Sequence, residues 1–268
     1  MIPTFQLTSD VTQEQRDALD EVGALRFTGV ATPEEVAKLR QAIEDLSDQW
    51  VEEGRKKVNG IPLKYGQEAN GKSFVQRFAF SSLFSSVIKE FVHDERFTAV
   101  RRLCGNDCRV GDREKDGVVI NWYRNEAGSR YKALGWHTDG LRDLAYGRMP
   151  GPMYNVGFYI DDSPKEKGAL RLIPGSHKQG FLKMAFGKPY FIDHREDPRE
   201  VILEALAGDL TIHDGRLWHR VGRSELEGDA SVRRTMYVPY LEGPYEPKNE
   251  DSKTPIYHRL QWITALTG

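Results

Sequence analysis

Val118-Val119-Ile120-Asn121-Trp122-Tyr123 is the run that decides the fold. It is a block of β-branched and aromatic residues, the composition of a strand. Runs of the same character follow at Tyr154 to Ile160, Ala169 to Ile173, Val201 to Ala205, Asp209 to Ile212 and Arg234 to Tyr240. Turns rich in Gly, Pro and Asp separate them, with no helices between. Such a succession predicts an antiparallel sandwich or barrel.

Ahead of this β region the pattern is mostly helical. Residues 11–21 predict a short helix ending near Gly23, and Ala24 to Val30 alternate like a strand. Thr32-Pro33-Glu34-Glu35 joins a capping hydroxyl, a proline at the first helical position and a glutamate three residues on. Val36, Leu39, Ile43, Leu46 and Trp50 then recur at helical spacing, so a helix of about 20 residues packs one apolar face. Residues 54–71 are polar and glycine-punctuated, which predicts a long loop and a candidate lid. Phe74 to Phe80 suits core packing or an aromatic pocket wall, and two helices are expected around 82–91 and 94–103. The expected organisation is a single domain over 1–268, with a helical N-terminal layer to about residue 106 and a β core over 107–241. A polar connector and a last short helix at 256–266 complete it.

Bulk composition narrows the function classes. With 39% hydrophobic and 10% aromatic residues the chain can bury a substantial core. Its 38 basic and 40 acidic residues leave a formal charge of −2, which argues against general affinity for nucleic acid or an anionic membrane. The two cysteines, Cys104 and Cys108, lack the second pair of a structural zinc site and fit free thiols on or just after a helix. The N-terminus lacks signal-peptide character, and no segment approaches the ~20 apolar residues of a membrane span. A soluble cytoplasmic protein is expected, monomeric or homodimeric, with a small-molecule substrate.

The chemistry centres on Gly135-Trp136-His137-Thr138-Asp139-Gly140. His137 and Asp139 are two residues apart, so in an extended segment both side chains leave one face. With a third ligand they would form the facial triad that holds non-haem Fe(II) and leaves positions open. The third ligand should come from a later strand, and the candidates are His213 and His219 in Asp209-Leu210-Thr211-Ile212-His213-Asp214-Gly215-Arg216-Leu217-Trp218-His219. His219 is preferred, because His213 can be satisfied within its Asp-Gly turn. A chelating 2-oxo acid would then need a cation for its far carboxylate. Arg233 and Arg234 can supply one, and strand alternation lets only one of them point inward.

Gly168-Ala169-Leu170-Arg171-Leu172-Ile173-Pro174-Gly175-Ser176-His177 completes an ordered set of motifs. From about residue 117 to 241 the chain resembles the phytanoyl-CoA dioxygenase family of Fe(II)/2-oxoglutarate-dependent oxygenases. The family shows His-x-Asp, a Gly-x-Leu…Ile-Pro-Gly-Ser-His segment, then a distal His followed by an Arg. The resemblance implies a mainly β fold with flanking helices around a double-stranded β-helix (jelly roll, cupin-like) core. It implies His137, Asp139 and His219 as iron ligands and Arg233 as the 2-oxoglutarate arginine, with O2 as co-substrate. His177 belongs to a turn that the family uses structurally. A small Gly-Ser pair often follows the distal histidine in this family, whereas Arg220-Val221 stands here, which makes Arg220 a candidate substrate contact.

Related halogenases carry a small residue at the position of Asp139, so a carboxylate there favours hydroxylation, desaturation or ring chemistry. Asn121 and Tyr123 share one face of their strand and are candidate polar contacts to 2-oxoglutarate, and Trp136 fits either a substrate wall or core. The expected activity is hydroxylation of an unactivated C–H bond in a natural-product-like or amino-acid-like small molecule, with release of succinate and CO2. The rivals are desaturation or ring formation, action on an acyl-CoA, and a silent jelly-roll binding protein.

Overall fold

The computed structural model describes residues 1–145, 147 and 149–255, so the expected helix at 256–266 lies outside the described residues. In chain order the strands are β1 (Thr4–Gln6), β2 (Ala24–Thr28), β3 (Lys57–Val58), β4 (Ile61–Pro62), β5 (Lys64–Gln67), β6 (Ser73–Phe78), β7 (Arg109–Val110), β8 (Val119–Tyr123), β9 (Leu134–His137), β10 (Met153–Tyr159), β11 (Leu170–Leu172), β12 (Val201–Leu203), β13 (Leu210–Asp214), β14 (His219–Val221) and β15 (Arg233–Leu241). The α-helices are α1 (Gln13–Val22), α2 (Pro33–Glu52), α3 (Ser86–Val92), α4 (Thr98–Cys104), α5 (Leu141–Ala145) and α6 (Phe181–Phe186).

Two sheets carry the molecule. The larger runs β1-β2-β13-β10-β15-β8-β6-β5, with β7 also against β15, and the smaller runs β12-β11-β14-β9. From β8 onward the chain crosses between them: β8 large, β9 small, β10 large, β11 and β12 small, β13 large, β14 small, β15 large. That winding is a jelly roll, two facing sheets, antiparallel except for the parallel β1–β2 pair, that do not close into a barrel.

Strand alternation divides the core. In β8, Ile120 and Trp122 join the cluster that also buries Val36, Leu39, Ile43, Leu46 and Trp50 of α2. Tyr123 instead packs with Tyr159, Leu170, Leu172 and Val221, drawn from both sheets. Thus the helices cover the outer face of the large sheet and leave its inner face for a cavity. Thr32 and Glu35 form the capping box that starts α2, as the sequence predicts. Trp50 is fully buried and meets Phe78 and Phe84 at centroid distances of 5.5 and 5.4 Å. Trp50→Ala is expected to lower unfolding free energy by about 3–5 kcal/mol in urea titration, through the cavity it leaves.

Two expectations change. Residues 54–71 are not a free loop, because β3, β4 and β5 lie there and β5 extends the large sheet through β6. The pieces are two to four residues long between glycines, too short for a period to show, yet Val58, Ile61 and Leu63 are buried. A lid role for this stretch is replaced by that of a sheet edge. The N-terminal region is also less helical than expected, since β1, β2, β5 and β6 all enlarge the large sheet.

The Pro-Gly-Ser-His turn proves to be a dock for α1. His177 Nε2 lies 2.9 Å from the Asp20 carbonyl, and Gly175 N–H donates to the Val22 carbonyl at 2.9 Å. Gly23, which ends α1 at φ +80°, has no room for a side chain: an added Cβ would lie 2.4 Å from His177 Nδ1.

Candidate active site

β9 and β14 are neighbours in the small sheet, in a register that sets His137 opposite His219. Their ring centroids are 4.1 Å apart. Asp139 follows β9, and its N–H donates to the Gly215 carbonyl at 2.7 Å, so the turn between β13 and β14 holds it in place. Asp139 Oδ2 lies 3.7 Å from His219 Nε2. One ligand atom from each of His137, Asp139 and His219 falls within 4.8 Å of the others.

The tautomers follow from the backbone. His137 Nδ1 is 2.8 Å from the Gly135 carbonyl and His219 Nδ1 is 2.9 Å from the Leu217 carbonyl. A carbonyl only accepts, so each Nδ1 carries a hydrogen, and Nε2 is the ring atom left to face a metal. Burial, and then the neighbouring His219, hold His137 well below the usual histidine pKa, which keeps it neutral. Burial raises the Asp139 carboxyl, with His219 opposing. Asn155 Nδ2 donates to Asp139 Oδ2 at 2.6 Å and fixes that carboxylate. Two imidazoles with Nε2 turned inward and a carboxylate, oriented before any ion arrives, fit a divalent transition metal.

His213, the other candidate, stands close by on β13. Its ring centroid is 4.8 Å from that of His219 and its Nε2 lies 3.4 Å from Asn155 Nδ2, but it is outside the converging group.

The two arginines of β15 part as alternation requires. Arg233 is 1% exposed on the inner face, with Cζ 4.5 Å from the centre of the Tyr123 ring. Its Nε donates to the Lys167 carbonyl at 3.2 Å, while its buried Nη2 finds no partner among the described residues. Arg234 points the other way and is fully engaged: Nε donates to Asp161 at 2.7 Å, Nη1 pairs with Glu44 of α2, and Cζ lies 4.7 Å from the Trp122 ring. The expectation that Arg234 contacts a cofactor is therefore not supported by its placement. Arg220 is likewise turned outward on β14, bonded to Glu200 at 2.7 and 2.9 Å and lying 5.4 Å from the Trp136 ring. Its candidacy as a substrate contact gives way to an ion pair, and Val221 lines the cavity beside it. Trp136 is core, fully buried with Ile173 and Trp218, its indole N–H donating to the Arg195 carbonyl.

A cavity of about 180 Å³ opens over the triad. Asn121 and Tyr123 both line it. Asn121 Oδ1 is buried without a partner among the described residues, and the Tyr123 hydroxyl donates to that of Tyr131 at 3.0 Å. Phe191 covers His137 at a centroid distance of 4.9 Å, and Leu134, Leu170 and Tyr237 add apolar wall. Lys64, Arg77, Lys115 and Lys248 bring charge to the same cavity. Sequence reading missed Asn155, Phe191 and these cations. Asn155 was within reach, since alternation in β10 puts it on one face with Gly157 and Tyr159. The others come from edges and loops that carry no period.

A jelly roll with this donor set is the framework of a mononuclear non-haem iron oxygenase. The sequence model described as phytanoyl-CoA dioxygenase (PhyH) matches residues 19–225, and the chain belongs to that family. It is a 2-oxoglutarate-dependent non-haem iron enzyme. No curated protein sequence gives a significant match. Among solved structures, the chain resembles the epimerase SnoN in complex with Fe3+, α-ketoglutarate and nogalamycin RO, at 18% identity and TM-score 0.63 over 88% of this chain and 86% of that one. The α-ketoglutarate-dependent carbocyclase SnoK from nogalamycin biosynthesis is similar at 19% identity and TM-score 0.62, over 90% and 88%. EvdO2 from Micromonospora carbonacea var. aurantiaca, complexed with 2-oxoglutarate, is similar at 16% identity and TM-score 0.62, over 93% and 97%. At these identities the likeness establishes the fold. Among the described residues no helix is long and apolar enough to cross a membrane.

Proposed function

We propose that His137, Asp139 and His219 hold Fe(II), that Arg233 binds the distal carboxylate of 2-oxoglutarate, and that the enzyme hydroxylates an unactivated C–H bond of a small molecule. The observation that carries this reading is the convergence of two inward-facing histidine rings and one carboxylate, with ligand atoms within 4.8 Å of one another, at the floor of a cavity. With iron bound, such a site couples decarboxylation of 2-oxoglutarate by dioxygen, giving succinate and CO2, to insertion of the second oxygen atom into a C–H bond.

The chain's own share is geometric. Gly135 and Leu217 carbonyls keep both Nε2 atoms turned inward, and Asn155 keeps Asp139 from swinging away. The unpaired Nη2 of Arg233 fits a carboxylate, and the guanidinium fork can bind it by two parallel hydrogen bonds. Phe191, Leu134 and Val221 exclude water and set the reacting carbon in place. A carboxylate rather than a small residue at position 139 leaves no room in the coordination set for a halide, so oxygen transfer is favoured over halogenation.

The likeness to an epimerase and a carbocyclase favours a second reading, in which the same site removes hydrogen without adding oxygen. Product mass after turnover under labelled dioxygen decides between them: hydroxylation adds one labelled oxygen atom, and desaturation or ring closure adds none. A product without label refutes the hydroxylase reading.

Asn155→Ala tests the positioning of Asp139. Loss of a hydrogen bond to a metal-ligating carboxylate typically weakens affinity about 10–100-fold. Anaerobic Fe(II) titration should show a loss of that size with the fold intact, and unchanged affinity would remove Asn155 from the site's machinery.

A further inference from the structure

We propose that the prime substrate carries an anionic group, a carboxylate or a phosphate-like oxyanion, which Lys64 receives at the edge-strand side of the cavity. The proposal rests on the iron and 2-oxoglutarate reading above and extends it to the substrate.

Lys64 stands on β5 directly across from Arg77 of β6, and Arg77 stands across from Asn121 of β8. Three cavity residues thus form a row over three strands, and two of them are like charges at adjacent positions, an arrangement that destabilises a sheet. Arg77 is offset by Asp116 at 2.6 Å. Lys64 is offset by nothing comparable. It makes no hydrogen bond or ion pair among the described residues, and its Nζ rests 4.2 Å from the centre of the Tyr131 ring. Burial, and then Arg77, push its pKa down to about 7. A partly buried ammonium held beside an arginine is costly in the empty protein and is neutralised when an anion arrives.

The surrounding charges do not neutralise it. Lys248 shares Asp116 with Arg77, at 3.6 Å, and Lys115 faces Asp143 at 3.6 Å. Asp116 is thus engaged by Arg77 and Lys248, and Asp139, the other carboxylate that lines the cavity, belongs to the converging triad. The cofactor set leaves no negative charge over for Lys64. Iron(II) with Arg233 supplies three positive charges, and Asp139 with a doubly charged 2-oxo acid supplies three negative ones. The distal carboxylate of 2-oxoglutarate is assigned to Arg233, which stands over Tyr123, whereas Lys64 stands over Tyr131, the other ring of a pair stacked at 4.8 Å. An anion at Lys64 is thus a second anion, and the remaining ligand of such an enzyme is its prime substrate.

The test uses enzyme loaded without oxygen with Fe(II) and 2-oxoglutarate until the visible charge-transfer absorption of the chelate is complete. Inorganic phosphate or sodium acetate is then titrated in by calorimetry. The expected result is one saturable anion site per chain, weakened about tenfold or more in Lys64→Met and retained in Lys64→Arg. Tighter phosphate assigns a phosphate-like group to the substrate, and tighter acetate assigns a carboxylate. Absence of a saturable site in the wild-type enzyme, or equal binding by Lys64→Met, overturns the proposal. So does a matching rise in the 2-oxoglutarate requirement of Lys64→Met, which would make Lys64 a co-substrate contact. Failure of the absorption to form in wild-type enzyme removes the underlying iron reading instead, and this inference with it.

Discussion

His219→Ala is expected to lower turnover by about a thousandfold or more, equivalent to roughly 4 kcal/mol of transition-state stabilisation, and to abolish tight Fe(II) binding. The expectation follows from the placement of Nε2. The Leu217 carbonyl occupies Nδ1, so Nε2 is the only donor this ring can offer, and it points toward Asp139 at 3.7 Å. His213 provides an internal control of the same chemistry. It is buried and its ring centroid is 4.8 Å from that of His219, yet it lies outside the converging group. His213→Ala should therefore retain stoichiometric iron, measured by metal analysis after anaerobic desalting. Loss of iron in His213→Ala with retention in His219→Ala would exchange their roles.

The second large effect concerns the arginine pair. Arg233→Ala should raise the KM for 2-oxoglutarate about tenfold to a hundredfold, matching the ~1.5–3 kcal/mol of a charge-assisted carboxylate contact. Arg234→Ala should leave that KM unchanged and act on stability instead. It removes the partner of Glu44 and one partner of Asp161, whose remaining cation is Arg40 at 3.1 Å. A loss of about 1–3 kcal/mol in urea unfolding is expected from the half-buried Asp161 carboxylate left under-satisfied. The pair separates two readouts at adjacent positions, because β15 turns one side chain to the inner face, over Tyr123, and the next toward α2.

How much of this was legible in the sequence depends on whether a residue belongs to a periodic element. Val118 to Tyr123, Tyr154 to Ile160 and Arg234 to Tyr240 announce themselves by composition, and all three became strands of the large sheet. The heptad-like recurrence from Val36 to Trp50 gave the whole of α2 with its capping box. At the site, His137, Asp139 and His219 were found by spacing and motif order, and the structure brings them together. The inward turn of one β15 arginine was also readable, although only coordinates could say which. What escaped has no period of its own. β5 is four residues long and lies among glycines, so Lys64 looked like loop charge. Lys248 comes from an irregular connector and Phe191 from a turn with positive φ, and nothing local marks either as cavity wall. Arg220 misled for the opposite reason: its position next to His219 suggested the cavity, but adjacent strand residues face opposite ways, and Glu200 awaited it on the other side.

The central claim is that these three side chains form an iron site able to hold a chelated 2-oxo acid. Anaerobic addition of Fe(II) and 2-oxoglutarate to the purified protein tests it most directly, by the weak visible charge-transfer absorption of the chelate. The expected result is an absorption that saturates at one iron per chain in the wild-type protein and is absent in His137→Ala. No absorption in the wild type, or the same absorption in His137→Ala, would contradict the assignment.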